Sequence, residues 1–382
     1  MEQEIQPQVT EAGPENHADD SALSTEPPVI AEDEEEYRGL RWVFIGDDGL
    51  RAGWSVVLFA ILLVLFSFVV GPVFLKLHLV GKQGGFSARA AFFGELIPVL
   101  AMLGAGAIVA LIERRRILDY NLAGPRRWFH FLSGLATGFA GLSALIGALA
   151  WGGWLHFGPI ALSGPAIFKY GLLWACAFLL VGCFEEGLFR GYLQFTLTRG
   201  IHFWWALGIV AALCLRLALS TRGQGVWGVY LIAILGLVPC LLLHIKGVKG
   251  NGFWQAAWVT STGFGFIHTG NNGENWIGIF AAAAIGFVFC VSVWVTGSAW
   301  WAIGCHAAWD WAETYFYGAA DSGNAATGHY LTTSPAGNAL WSGGADGPEG
   351  SLLVVGIILL LLVALLVIYR CPKPGLRKKA SF

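Results

Sequence analysis

A chain of 382 residues that is 56% hydrophobic and 13% charged, with 18 tryptophans and a mean hydropathy of +0.62, is excluded from the soluble globular class. Its formal net charge of −2 conceals an asymmetry, because the first 37 residues are acidic whereas the last stretch, RCPKPGLRKKASF, is basic. The composition predicts an all-α, polytopic helical bundle embedded in a lipid bilayer, with no nucleic-acid partner.

The chain opens on an acidic segment poor in apolar residues, which cannot bury enough surface to offset its ordering entropy, so residues 1–50 are expected to be a disordered cytoplasmic tail. It lacks the basic start and short apolar core of a cleaved signal peptide, so the first hydrophobic span is expected to remain as an anchor. Spanning helices need ~20 apolar residues. About ten candidates reach that length, at approximately 54–75, 90–112, 129–150, 168–198, 201–219, 226–245, 252–269, 277–297, 299–317 and 351–370. The expected organisation is N-terminal transmembrane helices over 51–167, a catalytic core over 168–317 with an inserted hairpin at about 201–245, an external loop over 318–350, and a last helix with a basic tail over 351–382. The seven cysteines are single, mostly within apolar segments and without a C-x-x-C pair, so they read as small buried hydrophobes.

Lys and Arg counting sets the orientation. With the N-terminus in the cytoplasm, 17 of the 23 fall inside, and the loop GAADSGNAATGHYLTTSPAGNALWSGGADGPEG on the other side carries none. Both termini are therefore expected inside, with an even helix count.

Ionisable residues at membrane depth mark function by default. The census is Glu95, Glu185, Glu186, Arg190, Arg216, His268, His306, Asp310 and Glu313. Arg216 can snorkel from near a helix end and Glu95 can bond a neighbouring helix, so both read as structural. The others fall into short patterns. Glu186 and Arg190 stand at i and i+4 with the carboxylate N-terminal, the favourable order for a helical ion pair. Glu185 then points roughly 100° away, leaving one carboxylate neutralised and its neighbour available for chemistry. His268 follows Phe264 at i+4, and His306 precedes Asp310 at i+4 on one helical face. Axial rise puts Glu186 at ~21 Å and His268 at ~25 Å from the cytoplasmic side, but His306 at only ~12 Å. A tilt, or a shorter fourth helix, is needed to bring them level. Such a set suits activation of water for attack on an amide. A Zn²⁺ site drawn from Glu185, His268, His306 and Asp310 is the other chemistry it suits.

FEEGLFRGYLQ, then GFWQAAWVTSTGFGFIHTGN, then GCHAAWDW resemble the E-E-x-x-x-R, F-x-x-x-H and H-x-x-x-[N/D] motifs of the CPBP family. These are the CAAX-protease and bacteriocin-processing intramembrane endopeptidases, including the type II CAAX prenyl endopeptidase. The resemblance covers about 168–317. It implies an intramembrane fold whose active site opens to the cytoplasm, and hydrolysis of a membrane-associated protein or peptide. By position it makes Glu185 the general base, His268 the residue that places the water, Glu186 and Arg190 the supporting pair, and His306 with Asp310 the stabilisers of the oxyanion. Whether the family works with a metal or by glutamate alone stays open at this point.

Two departures stand out. Asp310 occupies a position where many members have Asn, and an ionised Asp cannot donate to an oxyanion. The hairpin between the first and second motifs is an insertion, expected to line or restrict substrate entry. Competing readings are a non-catalytic immunity or abortive-infection protein, and a proton-coupled transporter, for which no corresponding halves are seen. No organelle address favours a farnesylated substrate, and a bacterial inner membrane is the expected location.

Overall fold

The structure is a computed structural model that describes residues 43–46, 49–80, 86–221, 226–247, 250–271 and 273–369. The acidic N-terminal segment before residue 43 and the basic tail after 369 lie outside the described residues. The chain divides into Met1–Phe44 and Ile45–Phe382, and every helix considered below belongs to the second unit.

Among the described residues ten long helices follow one another: α1 (Ala52–Lys76), α2 (Ala88–Ile112), α3 (Arg127–Trp151), α4 (Pro165–Gly200), α5 (Phe203–Thr221), α6 (Val226–Lys246), α7 (Asn251–Ile267), α8 (Trp276–Thr296), α9 (Trp300–Asp310, extended by a π-helical segment Trp311–Tyr317) and α10 (Leu353–Tyr369). Each lies within three residues of its sequence-based expectation, because apolar runs of this length are bounded by strong local signals. Pro165 opens α4 at a position where its missing N–H costs nothing, and Gly297 closes α8 in the left-handed conformation at φ 78°. Asn275 caps α8, its side-chain oxygen accepting from the Ile277 and Gly278 amides at 2.8 and 3.2 Å.

The helical bundle is as expected, whereas helix length and composition support the count of about ten spans only in part. Among the described residues five helices are long and apolar enough to cross a membrane: α1, α2, α3, α4 and α8. Phe203–Leu219, Ala233–Lys246 and Leu353–Tyr369 are shorter apolar helices. The expectation of about ten spans counted every apolar run of sufficient length, although α7 and α9 carry polar residues that turn inward. Helix α1 is 6% buried within the protein and α8 is 67% buried, so α1 lies at the periphery and α8 at the centre.

Helices α3 and α9 approach most closely. Gly134 and Gly138 on α3 face the Trp301 and Cys305 carbonyls, and Gly304 on α9 faces the Phe131 carbonyl, leaving no room for a Cβ at any of the three. Small residues at this spacing let backbones touch, which is how helices pack where lipid removes the hydrophobic drive. This pair fixes the height and rotation of His306.

The loop after α9 is ordered. Ala326–Thr327 pairs with Phe86–Ser87 in parallel and Thr333–Pro335 with Leu155–Phe157 antiparallel. The Asn275 side chain donates to the Gly350 carbonyl at 3.2 Å. The segments before α2, after α3 and before α8 therefore share one face with this loop. On the opposite face Arg199 Nη1 meets Glu113 Oε2 at 3.1 Å.

The hairpin α5–α6 packs on α7 through Ala206, Val210, Cys214 and Leu217 against Val259. None of its described residues lines the central cavity.

Candidate active site

Residues Glu185 and Glu186 end the α-helical part of α4, and a π-helical segment, Gly187–Leu193, follows at once. Asp310 likewise ends the α-helical part of α9 before its own π segment. Such segments occur frequently at functional sites because they rotate side chains away from regular helical positions.

Around these ends the polar groups converge. Arg190 Nε lies 3.2 Å from Glu186 Oε2, and both side chains are fully buried. His306 Nδ1 donates to Glu186 Oε1 at 2.8 Å. The other ring nitrogen of His306 faces Asp310 Oδ2 at 3.4 Å and Glu185 Oε2 at 3.9 Å. Glu186 is thus committed to a cation and an imidazole at 3.2 and 2.8 Å, whereas Glu185 has only the 3.9 Å approach of His306. The Glu186–Arg190 pair expected from the i, i+4 spacing is present in the geometry, and Glu186 also bonds His306.

Arg190 is held by aromatic faces as well as by charge. Its Cζ lies 4.3 Å from the Phe264 ring centroid and 5.4 Å from that of Phe289. The same guanidinium occupies the space that a Cβ on Gly286 would need. Phe264 of the F-x-x-x-H pattern is therefore a cation–π partner of the E-E-x-x-x-R arginine. Its carbonyl accepts from His268 Nδ1 at 2.7 Å, which leaves Nε2 of His268 as the acceptor nitrogen.

His268, His306 and Asp310 line one cavity of about 60 Å³, enough for more than one water. Glu185 does not line it; Glu185 meets the set through His306. The cavity runs along α8 from Glu274 at the loop end to Phe289.

The shallow depth expected for His306 has a specific cause. Helix α9 starts deep in the bundle: Asn121 Nδ2 donates to the Arg190 carbonyl at 2.8 Å, and the Ala299 amide donates to the Asn121 carbonyl at 2.8 Å. The first residue of α9 is thus level with Arg190, not with the end of α4. At ~1.5 Å per residue α4 is ~54 Å long against a ~30 Å hydrocarbon core. Counting from its end overstated the depth of Glu186.

As placed, the residues do not fit a Zn²⁺ site. Among the described residues no three His, Cys, Asp or Glu side chains stand where they could hold one ion. Nδ1 of His306 is already engaged by Glu186, and Nδ1 of His268 by a backbone carbonyl.

Sequence reasoning missed several members of this neighbourhood. Glu95, read as structural, stands within electrostatic reach of Glu185 and His306. Phe289 lies in an unbroken apolar run with no signal of its own. Glu349, in the loop, accepts from the Trp309 indole at 2.7 Å and lines the cavity. Arg216, the other residue set aside, is exposed on α5, away from the set.

No curated protein and no solved structure matches the chain. Residues 242–312 match the family model described as Type II CAAX prenyl endopeptidase Rce1-like, a span that holds His268, His306 and Asp310 but not the glutamates. The glutamates are joined to it by the bond from His306 to Glu186. Over this segment the chain is similar to the CPBP, or CAAX-protease, family.

Proposed function

We propose that the protein is an intramembrane endopeptidase that hydrolyses a peptide bond of a membrane-associated protein or peptide with a glutamate-activated water. One observation carries the reading: Glu186 is paired with Arg190 at 3.2 Å and with His306 at 2.8 Å, whereas the nearest cationic group to Glu185 is the far nitrogen of the same imidazole, 3.9 Å away. Glu185 takes a proton from water as the oxygen attacks the carbonyl carbon, and returns that proton to the leaving amine when the C–N bond breaks. His268 holds the water through its Nε2 acceptor. His306, kept protonated at Nε2 by Asp310, donates to the oxyanion. Asp310 therefore serves as an anchor for His306, which answers why an Asp can stand where a donor was expected. The division of the chain into a catalytic core over 168–317 and flanking helices belongs to the same reading.

Two expectations about access are incompatible. The Lys and Arg asymmetry puts the loop face outside, whereas an opening to the cytoplasm requires the cavity, which reaches the loop face, to point inside. We take the charge asymmetry as the guide. Labelling Ser334→Cys with a membrane-impermeant maleimide in intact cells tests it, since the loop over 318–350 holds no native cysteine.

Cleavage of a peptide library by purified wild type, Glu185→Ala and His268→Ala, each with and without chelator, tests the chemistry. The reading expects activity in the wild type only, unaffected by chelation. Activity in Glu185→Ala overturns the base, and loss on chelation overturns the metal-free route. A non-catalytic partner protein cleaves nothing in any of these arms.

A further inference from the structure

The carboxylates at the loop end of the cavity take no part in the chemistry above. Glu274 and Glu349 line the cavity that holds His268 and His306. Behind them stand Asp346, 1% exposed, and Glu313, 0% exposed. Oxygens of Glu274 and Asp346 both crowd the space that a Cβ on Gly278 would fill, and Gly278 is itself part of the cavity wall. The two carboxylates are therefore immediate neighbours.

Their partners are neutral. Asp346 Oδ2 accepts from the Asn275 amide at 3.2 Å, Glu274 from Asn271 at 3.1 Å, Glu349 from Trp309 at 2.7 Å, and Asp321 from Thr314 at 2.8 Å. Asp346 Oδ1 and both oxygens of Glu313 are buried with no hydrogen-bond partner. The loop over 318–350 supplies three carboxylates and neither Lys nor Arg. Buried carboxylates with unfilled oxygens require a cation or protons.

Which cation follows from the spacing. Ca²⁺ needs several oxygens at about 2.3–2.6 Å from one point, and among the described residues no three such side chains are placed to share an ion. A guanidinium spreads five N–H donors over a rigid fork and can reach carboxylates that do not converge.

We propose that the loop end of the cavity is a subsite for an arginine side chain of the substrate, gripped by Glu274 and Glu349 with Asp346 behind them. The proposal rests on the protease reading and sharpens it: the scissile bond lies at a fixed distance from a basic residue.

The electrostatics of these carboxylates agree with the geometry. Burial first, then the neighbouring charges of Asp346 and Glu349, push the Glu274 carboxyl up to about 9. Burial also raises Asp346 to about 6, with the Asn275 amide opposing and Asp321 adding to the rise. Glu349 and Asp321 are raised by burial as well. Seating a guanidinium displaces protons from this group, so arginine selectivity increases between about pH 6 and pH 9.

The test uses internally quenched peptides of one sequence carrying Arg, Lys, citrulline or Gln at each position in turn. They are cleaved by the purified full chain, and fluorescein-labelled versions are bound to Glu185→Gln protein. At one position, Arg should exceed citrulline about tenfold or more in both kcat/KM and affinity, with Lys between them. Glu274→Gln combined with Glu349→Gln should reduce that ratio to about threefold or less, chiefly through KM for the Arg peptide. Cleavage or binding without Arg selectivity overturns the subsite. So does thermal protection by Ca²⁺ or Mg²⁺ that the double substitution removes. Arg-selective binding with no cleavage of any peptide by the wild type keeps the subsite and overturns the protease reading.

Discussion

Two groups of carboxylates meet one cavity, the first through His306 and the second in and behind its wall, and solve the same problem in different ways. At mid-depth, Glu186 sits between a guanidinium 3.2 Å away and an imidazole 2.8 Å away, and two aromatic rings close over the arginine. At the loop end, Glu274, Glu313, Asp346 and Glu349 have amide and indole donors at best and no cation among the described residues. The first group finds its countercharges within the fold, and its strength depends on keeping every partner. The second is left unfinished, as a surface awaiting a ligand must be. Removing a charge should therefore destabilise the one and relieve the other.

The largest effect is expected at Arg190. Arg190→Met leaves Glu186 buried beside an apolar chain, and unfolding in detergent should show a loss of about 3–5 kcal/mol. Next comes His306→Ala, which removes the donor to the oxyanion; kcat should fall about 10²–10³-fold, with the melting temperature reporting the lost bond to Glu186 separately. Gly138→Ala presses a methyl onto the Cys305 carbonyl and should cost about 1–3 kcal/mol, with activity falling as α9 is displaced. In the opposite direction, Glu313→Gln should leave stability unchanged or raise it by about 1 kcal/mol, since it removes a carboxylate that nothing neutralises. Destabilisation by Glu313→Gln comparable to that of Arg190→Met would erase the contrast.

The smallest effect is a pH dependence. Glu274 has an ordinary value of 4.5 and is pushed up to about 9 in the folded protein, so between these the folded state holds more protons than the unfolded chain. Its contribution to stability is fully present below pH 4.5 and is lost as pH rises through about 9. Melting temperatures across that window should fall less steeply in Glu274→Gln.

The contrast also explains what was legible in the sequence. Glu186 and Arg190 stand one helical turn apart, and His306 and Asp310 likewise, so i and i+4 spacing revealed both pairs. The helices were legible because apolar runs of about 20 residues admit little else in lipid. Long-range geometry was not. The deep start of α9 depends on Asn121, a loop residue whose two hydrogen bonds carry no sequence pattern. The glycine contacts of α3 with α9 depend on which faces meet. The carboxylates of the loop end come from segments as distant as 274 and 349, joined only when the loop folds over the bundle, and their spacing along the chain signals nothing.

The central claim is that the adjacent glutamates do different work, and one paired measurement addresses it: kcat/KM and melting temperature for Glu185→Gln and Glu186→Gln side by side. The account predicts that Glu185→Gln melts like the wild type and loses about 10²–10⁴-fold in kcat/KM, whereas Glu186→Gln melts well below it because Arg190 loses its countercharge. Retained activity in Glu185→Gln, or wild-type melting in Glu186→Gln, would contradict it.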